Sequence, residues 1–259
     1  MDNTLVARGL VKRFSSVAVV HGVDLTLKPG EVTGYLGPNG SGKTVTVQML
    51  TGLLQPSAGT IHYSGRDIFD DLIGFRRCLG YLPEEPHLYR YMSGRSYLEL
   101  VGRLRGLPES LLRQKIDQLL EALGIDQAAE QPMSAYSKGM KQKVLISAAL
   151  LHDPDVLILD EPESGLDVSA GLVLRHLIRA LAEQGKAILY SSHVLDNVEK
   201  VCQRVVVIHR GQVVADDSVT RLRELMAMES LEEVFAQLVL KEDPAQIARD
   251  IAGVMSLRH

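Results

Sequence analysis

Short apolar runs recur along the second half of the chain, at residues 156–159, 187–190 and 205–208, with stretches of helical spacing between them. Such continuous runs are typical of strands that are buried on both faces of a parallel sheet. Residues 31–36 predict a further buried strand, which leads directly into a glycine-rich loop. The pattern therefore predicts an α/β fold with a mainly parallel sheet.

The N-terminal part of the chain follows a different period. Val23, Leu25 and Leu27 alternate with polar residues, as they do in a strand with one buried face. Residues 60–63 predict another short strand, which ends at a Ser-Gly pair. We therefore expect a small antiparallel β subdomain beside the parallel sheet.

Helical spacing dominates from about residue 86 to residue 151. Pro108 suits a first helical turn and Gly124 suits a helix stop, and the apolar stripe between them is interpreted as core packing. The stripe comprises Leu112, Ile116, Leu119, Leu120 and Leu123. We expect a helical subdomain inserted at about residues 86–151, within a domain that covers residues 4–240.

The C-terminal residues also predict helices. Ser230 and Glu233 form a capping-box pattern before an apolar stripe, and Asp243-Pro244 suits the start of a last short helix. We therefore expect a helical tail at residues 241–259.

The glycine-rich loop carries the main chemical motif. Its residues are Gly37, Pro38, Asn39, Gly40, Ser41, Gly42, Lys43 and Thr44, which fit the phosphate-binding pattern G-x-x-x-x-G-K-[ST]. Glycines let the backbone N–H groups turn toward an anion, and the following helix adds the positive end of its dipole. Lys43 can reach the β- and γ-phosphates, and the Thr44 hydroxyl can ligate Mg²⁺. A chance glycine-rich turn is the alternative, but the predicted strand before it and helix after it favour a P-loop NTPase core.

Two carboxylates follow the apolar run at residues 156–159. Asp160 at a strand end can hold Mg²⁺ directly or through water, and Glu161 can polarise an attacking water as a general base. The alternative is a strand that ends in acidic surface residues. The phosphate loop upstream favours the catalytic interpretation.

Two further polar segments are candidates for phosphate contacts. If the strand at 187–190 neighbours the strand at 156–159, His193 reaches the same edge as Glu161 and can contact a γ-phosphate. Ser137 and Gly139 lie in a polar turn that leads into an apolar helix, and such a helix start is an anion site. A simply capped helix is the alternative. Because one ATP does not easily need two cradles, the second one suggests the nucleotide of another protomer.

Composition narrows the possible partners. The chain has 259 residues and a net charge of −4, which argues against a nucleic-acid binder that neutralises phosphates. Cys78 and Cys202 are far apart in sequence, so neither a disulfide framework nor a metal cluster is indicated. We expect a cytoplasmic protein, since a signal peptide and an apolar run of about 20 residues are both lacking. Any membrane role would then depend on a partner.

The order of these motifs resembles the nucleotide-binding subunit of the ATP-binding-cassette (ABC) family, over about residues 4–240. The resemblance implies a role for each matching residue. Phe14 would stack on adenine, Glu84 would occupy the Q-loop and ligate Mg²⁺, Ser137 and Gly139 would form the signature motif, Asp160 and Glu161 would form Walker B, Asp167 would lie in the D-loop, and His193 would be the switch histidine.

The chain departs from the family pattern at several positions. Glu84 replaces glutamine, Lys138 and Met140 replace the usual Gly and Gln, Glu163 stands where Thr is common, and Val45 stands where a second Thr often follows. Residues 136–142, Glu84 and residues 231–235 together resemble the branch that serves exporters of drugs, lipids, polysaccharides or peptides.

The resemblance implies an ATP-hydrolysing motor for a separate transmembrane permease, on the inner face of the cell membrane. Two copies, or one copy and a paralogue, would pair head to tail around ATP and Mg²⁺. A permease helix would dock in a groove formed by His87, Leu88, Tyr89, Tyr91 and Tyr97. The alternative is a single-cassette soluble ATPase of the iron–sulfur-assembly type. A sensor that does not hydrolyse ATP is disfavoured by Glu161.

Overall fold

A computed structural model describes residues 3–85, 88–228, 230–239 and 249. Its strands are β1 (Leu5–Phe14), β2 (Val17–Leu27), β3 (Val32–Leu36), β4 (Ala58–Tyr63), β5 (Arg66–Asp67), β6 (Leu79–Leu82), β7 (Val156–Asp160), β8 (Ala187–Ser191), β9 (Arg204–His209) and β10 (Gln212–Ser218). The helix at Asp243-Pro244 and almost all of the tail predicted at 241–259 lie outside the described residues, as does His87.

Helices alternate with the strands over most of the chain. They are α1 (Lys43–Leu50), α2 (Leu72–Cys78), α3 (Gly94–Leu104), α4 (Glu109–Ala122), α5 (Lys138–Leu150), α6 (Val168–Glu183), α7 (Leu195–Val201), α8 (Val219–Met226) and α9 (Leu231–Val239). Within the described ranges, no helix is both long enough and apolar enough to cross a bilayer.

The larger sheet has six strands in the order β10-β9-β3-β8-β7-β6. All neighbours pair in parallel except β10, which is antiparallel to β9. Every residue of β3, β7 and β8 is buried, as continuous apolar runs predict. The mainly parallel sheet is therefore confirmed. Because its strands run the same way, the segments that follow β3, β6, β7 and β8 emerge at one edge.

The smaller sheet is antiparallel, with four strands in the order β2-β1-β4-β5. It confirms the antiparallel β subdomain. Its inner face and α1 enclose one core with one face of the parallel sheet, and helices α6 to α9 cover the opposite face. The phosphate loop thus lies where the two sheets meet.

Helices α3, α4 and α5 share a core of their own. Leu112, Ile116 and Leu120 are fully buried in it, whereas Leu119 and Leu123 pack at its margin. The stripe is core packing, as predicted. Pro108 lies one residue before α4 rather than within its first turn, because its extended backbone (ψ 138°) places it at the cap. The strands β6 and β10 and the helix α2 have no counterpart among the predicted elements.

Candidate active site

The phosphate loop connects β3 to α1 in a tightly wedged conformation. Gly42 forms the N-cap of α1. Its φ of +99° is a backbone conformation that residues with a side chain rarely adopt. At Gly37 a Cβ atom would lie 2.4 Å from the carbonyl oxygen of Ile208 and 2.5 Å from Ser41 Oγ. The loop backbone therefore packs directly against β9, and the N-terminus of α1 opens at its centre.

Lys43 is the first residue of α1, and its ammonium group folds back over the loop. It donates to the carbonyl oxygens of Gly37 and Pro38, the second at 3.2 Å. Burial lowers the pKa of Lys43, and nearby carboxylates oppose that shift. The ammonium thus lies over the loop, between the two carbonyl oxygens that it contacts.

A cavity of about 180 Å³ at the loop brings together most of the predicted residues. Because β7 neighbours both β6 and β8, the segments that follow these strands meet at the cavity. Its lining includes Lys43, Thr44, Glu84, Asp160, Glu161 and His193. The expected approach of His193 to Glu161 depended on pairing of their strands, and Asp160 is indeed the register partner of Ser191.

Asp160 is a buried carboxylate without enough protein partners. Its side-chain atom Oδ2 is buried and has no hydrogen bond. Burial, together with the charges of Glu84 and Glu161, raises the pKa of Asp160 to about 6, although Ser191 and the charge of Lys43 oppose the shift. A cation bound beside this buried carboxylate would stabilise its ionised form.

This donor set fits a hard divalent cation. The oxygens of Asp160, Glu84 and Thr44 line the same cavity. Within the described ranges, no cluster of three or more His, Cys, Asp or Glu side chains could hold a metal on its own. Carboxylate and hydroxyl oxygens are the kind of ligand that such a cation takes.

Glu161 is held by the segment that follows β8. The backbone N–H of His193 donates to Glu161 Oε1 at 2.8 Å, His193 Nδ1 is also 2.8 Å from that oxygen, and Ser192 Oγ donates to Oε2 at 3.3 Å. Glu161 has a φ of +48°, which is uncommon for a residue with a side chain. A strained backbone and three contacts thus fix the direction of this carboxylate.

The turn at Ser137 lies apart from the cavity. Ser137 is exposed and caps α5, with its Oγ accepting from the N–H of Met140 at 3.2 Å. Neither Ser137 nor Gly139 is among the described residues that line the cavity. A Cβ at Gly139 would lie 2.7 Å from the Gly165 carbonyl oxygen, so this turn packs on the loop before α6. Asp167 ends that loop and caps α6 by accepting from Ala170.

Gln142 connects α5 to the acidic loop, a role that the sequence did not indicate. Its buried amide donates to the carbonyl oxygens of Pro162 at 2.9 Å and of Glu161 at 3.4 Å. Gln142 therefore connects α5, the helix that begins at the Ser137 turn, to the segment that carries Glu161. The one feature of the sequence that could have pointed to this role is a polar residue, Gln142, next to the apolar run of α5.

Phe14 lies at the end of β1, in the hairpin that β1 forms with β2. The ring is 48% exposed, and the ammonium of Lys12 lies 5.4 Å from its centroid. Val19 of the same hairpin lines the phosphate cavity, which places Phe14 on the structural unit that borders the loop. Phe14 itself is not among the described residues that line that cavity.

The predicted groove residues differ in exposure. Tyr89 and Tyr91 are 63% and 96% exposed, whereas Tyr97 is half-buried. Leu88 packs against both the helical core and the core under the parallel sheet. Exposed tyrosines beside the junction of two cores are suited to contact another protein.

Phe235 also reaches the site, although nothing in the sequence indicated it. This residue of α9 lines a cavity of about 350 Å³ together with Gly37, Glu84, His193 and Leu195. Its arrival depends on the packing of α9 against α7, a tertiary contact without a local sequence signal.

A phosphate loop on β3 and an acidic pair on β7 define a nucleoside-triphosphatase cassette. A family model described as ABC transporter matches residues 20–164. ABC transporter ATP-binding protein NatA of Bacillus subtilis is 36% identical over 226 residues, which are 87% of this chain and 92% of NatA. The chain belongs to the ABC transporter family, whose ATP-binding proteins bind and hydrolyse ATP.

Other relatives agree with this assignment. An uncharacterized ABC transporter ATP-binding protein of Nostoc sp. is 40% identical over 80% of this chain, which spans 62% of that relative's length. Nod factor export ATP-binding protein I of Ralstonia nicotianae is 36% identical over 82% of this chain and 66% of its own length. A solved ATP-binding subunit of an ABC transporter superposes with a TM-score of 0.85 at 31% identity, covering 90% of this chain and 98% of that one.

Proposed function

We propose that this chain is the ATP-hydrolysing subunit of an ABC exporter and works with a separate transmembrane permease at the inner face of the cell membrane. Its ATP-binding domain is assigned to residues 4–240, with the helical subdomain at about 86–151 and a tail at 241–259. The export function named for the Ralstonia relative supports this direction of transport. The relatives' names favour a transporter over a soluble iron–sulfur-assembly ATPase.

The cavity at the phosphate loop carries this proposal. Residues Gly37–Gly42 would bind the phosphates through backbone N–H groups, and the Lys43 ammonium would move from loop carbonyls to the β- and γ-phosphates. Phe14 would stack on adenine with its exposed ring. The site would thus hold the base and the triphosphate at opposite ends.

Thr44, Asp160 and Glu84 would hold Mg²⁺. The buried, unpaired Oδ2 of Asp160 is the observation that supports this assignment. When bound, Mg²⁺ supplies positive charge that offsets the charge of the phosphates.

Glu161 would act as the general base. Its carboxylate is already directed by His193 and Ser192, so it can accept a proton from a water aligned with the γ-phosphate. With Nδ1 of His193 against Glu161, the ring's Nε2 is the atom left to contact a γ-phosphate oxygen. Loss of the γ-phosphate would remove that contact and permit reopening.

A second copy, or a paralogue, would complete the site. Ser137 is exposed and outside its own chain's cavity, so its helix N-terminus is available to another chain's γ-phosphate. Gly139 and Asp167 would lie in the same interface. ATP would favour this head-to-tail dimer because only the closed form completes both cradles.

The permease would dock on Leu88, Tyr89, Tyr91 and Tyr97, with His87 beside them in the sequence. The 96% exposure of Tyr91 supports a contact with another protein. A nucleic-acid partner is not proposed, because the net charge of −4 opposes phosphate binding over a large surface.

Two measurements test the proposal. Glu161→Gln keeps the shape of the side chain, and we expect it to retain ATP binding, nearly abolish turnover and trap dimers in size-exclusion chromatography. Lys43→Ala should instead lose ATP affinity. Normal turnover in Glu161→Gln would overturn the assignment of Glu161 as the base.

The permease is tested by affinity capture of the tagged chain from detergent-solubilised membranes. We expect a polytopic protein to copurify with the wild type and with Val214→Glu, a charge placed on the remote strand β10. Tyr91→Glu should lose it. Recovery of the wild type only in complexes without a membrane protein would favour the iron–sulfur-assembly alternative.

A further inference from the structure

Glu163 is the centre of a hydrogen-bonded cluster next to the catalytic segment. Its Oε1 accepts from the Tyr190 hydroxyl at 2.7 Å, and its Oε2 accepts from Arg175 Nη1 at 2.6 Å and from Asn197 Nδ2 at 3.1 Å. Arg175 Nη1 also donates to Asn197 Oδ1 at 3.2 Å. The two oxygens of one carboxylate thus join four separate structural elements.

These contacts bracket the segment that carries His193. Tyr190 lies in β8 before His193, and Asn197 lies in α7 after it. Glu161, two residues before Glu163, contacts His193 in the middle of the same segment. The acidic loop therefore holds that segment at its centre through Glu161 and at both ends through Glu163.

The cluster is not explained by stability alone. The side chains of Glu163 and Arg175 are each 17% exposed, so both charges lose much of their hydration. The attraction within such a buried pair is largely offset by that desolvation. What the cluster adds is a fixed geometry, because a carboxylate with three donors has few alternative positions.

We propose that Glu163 is a positioning residue for ATP hydrolysis, which holds the His193 segment at the distance from Glu161 that turnover requires. This inference rests on the proposed roles of Glu161 and His193. Glu163 is not among the described residues that line the cavity at the phosphate loop, so its proposed effect on turnover is indirect. It acts by fixing Tyr190 and Asn197, the two supports of the segment between them.

The first test is Glu163→Gln in the full-length chain. We expect kcat for ATP to fall on the order of tenfold while KM and the ATP dissociation constant change less than about twofold, because misplacement affects the reacting geometry rather than binding. Asp216→Asn is the matched control, since it disrupts a 2.6 Å ion pair with Arg204 far along the sheet. The control should keep kcat. Equal kcat in Glu163→Gln and wild type would overturn the proposal.

A second variant covers the case in which Glu163→Gln unfolds. Tyr190→Phe removes one hydroxyl and retains the ring and the Arg175 ion pair, so the fold should persist. We expect a smaller loss of kcat, of roughly threefold, again with unchanged KM. In the double variant the two losses should not multiply, because both act through one carboxylate. Independent, multiplying losses would overturn the proposal, as would unchanged kcat in folded Tyr190→Phe.

Failure of this inference differs from failure of the proposed function. If Glu161→Gln abolishes turnover but Glu163→Gln does not, Glu161 remains the base and only the positioning role is lost. If Glu161→Gln turns over normally, the assignment of the base fails, and the role proposed for Glu163 fails with it.

Discussion

A single oxygen of Glu161, Oε1, faces both the backbone N–H and the ring Nδ1 of His193, each at 2.8 Å. Glu161 directly follows β7, and His193 lies just after the neighbouring strand β8, 32 positions further along the sequence. Glu161 is 12% exposed in its side chain, and His193 is 72% exposed. The buried partner is thus oriented by an exposed one, whose ring also faces the cavity where the γ-phosphate is proposed to bind.

His193→Ala should impair turnover more than binding. The backbone N–H still directs Glu161 Oε1, so the base remains, but the ring that links it to the γ-phosphate is lost. We expect kcat to fall roughly tenfold to a hundredfold, as for removal of one positioned polar group, with ATP affinity within about threefold. Single-turnover hydrolysis and equilibrium binding measure the two quantities. His176→Ala, an exposed histidine of α6, is the control. Near-normal kcat in His193→Ala would contradict the expectation.

Gly37→Ala should disturb the phosphate loop by a backbone clash. The added Cβ would lie 2.4 Å from the carbonyl oxygen of Ile208, which cannot move without shifting β9. We expect ATP affinity to fall by at least tenfold and the free energy of unfolding to fall by about 2 kcal/mol.

Gly124→Ala is the matched control for Gly37→Ala. Gly124 differs from Gly37 in having a positive φ (+64°), but a Cβ there meets nothing within 4 Å, so this variant replaces a glycine without a clash. It should cost about 1 kcal/mol of stability and leave ATP binding intact. Titration calorimetry and urea unfolding provide both readouts. Equal ATP affinity in the two variants would show that the loop tolerates the clash.

The sequence alone was sufficient to predict the site residues that come at or just after the ends of the apolar strands. Asp160 and His193 each come at or just after a buried run, and parallel neighbours bring such ends together. The contact of Gln142 with Pro162 had no such signal, because it joins a helix to a loop across 20 positions. Glu163 was visible only as a departure from a family pattern. Its hydrogen bonds depend on tertiary packing, which places Arg175 of α6 beside its carboxylate.

The strand β10 and the helix α2, which have no counterpart among the predicted elements, lack a clear hydrophobic pattern. Both mix polar and apolar residues, so neither has the continuous apolar run that predicted β3, β7 and β8. The antiparallel position of β10 is decided by its turn from β9 rather than by its composition.

His152 predicts a pH dependence of stability. Its Nε2 lies 2.9 Å from the carbonyl oxygen of Leu79, and burial, with the charges of Arg105 and Lys115, lowers its pKa from 6.5 to about 4. The unfolded chain therefore binds more protons than the folded chain between these values. Stability from this group is present above about pH 6.5 and is lost as pH falls toward 4.

His152→Gln should remove that dependence. The glutamine amide can still donate to the Leu79 carbonyl oxygen but does not titrate. Between pH 7.5 and pH 5, we expect the wild type to lose about 1–2 kcal/mol more stability than the variant, measured by urea unfolding. Identical pH profiles for the two proteins would mean that His152 does not resist protonation in the fold.

The helix α9 forms one wall of the catalytic region. Its first N–H, at Leu231, donates to Glu199 Oε2 at 3.2 Å, and Glu199 Oε1 accepts from Arg223 at 2.8 Å. Glu199 thus fastens both α8 and α9 to α7, the helix that follows His193. From this position Phe235 lines the cavity together with Glu84 and His193.

Phe235→Ala should therefore change turnover as well as stability. Loss of the ring lets water into the cavity and removes a packing partner of the segment beside His193, so we expect kcat to fall about threefold to tenfold. Leu238→Ala is the control, because Leu238 is also half-buried on α9 against the same core. Both variants should lose about 1–3 kcal/mol in urea unfolding. If their kcat values fall equally, α9 acts only through stability, because the control shares the packing and not the cavity.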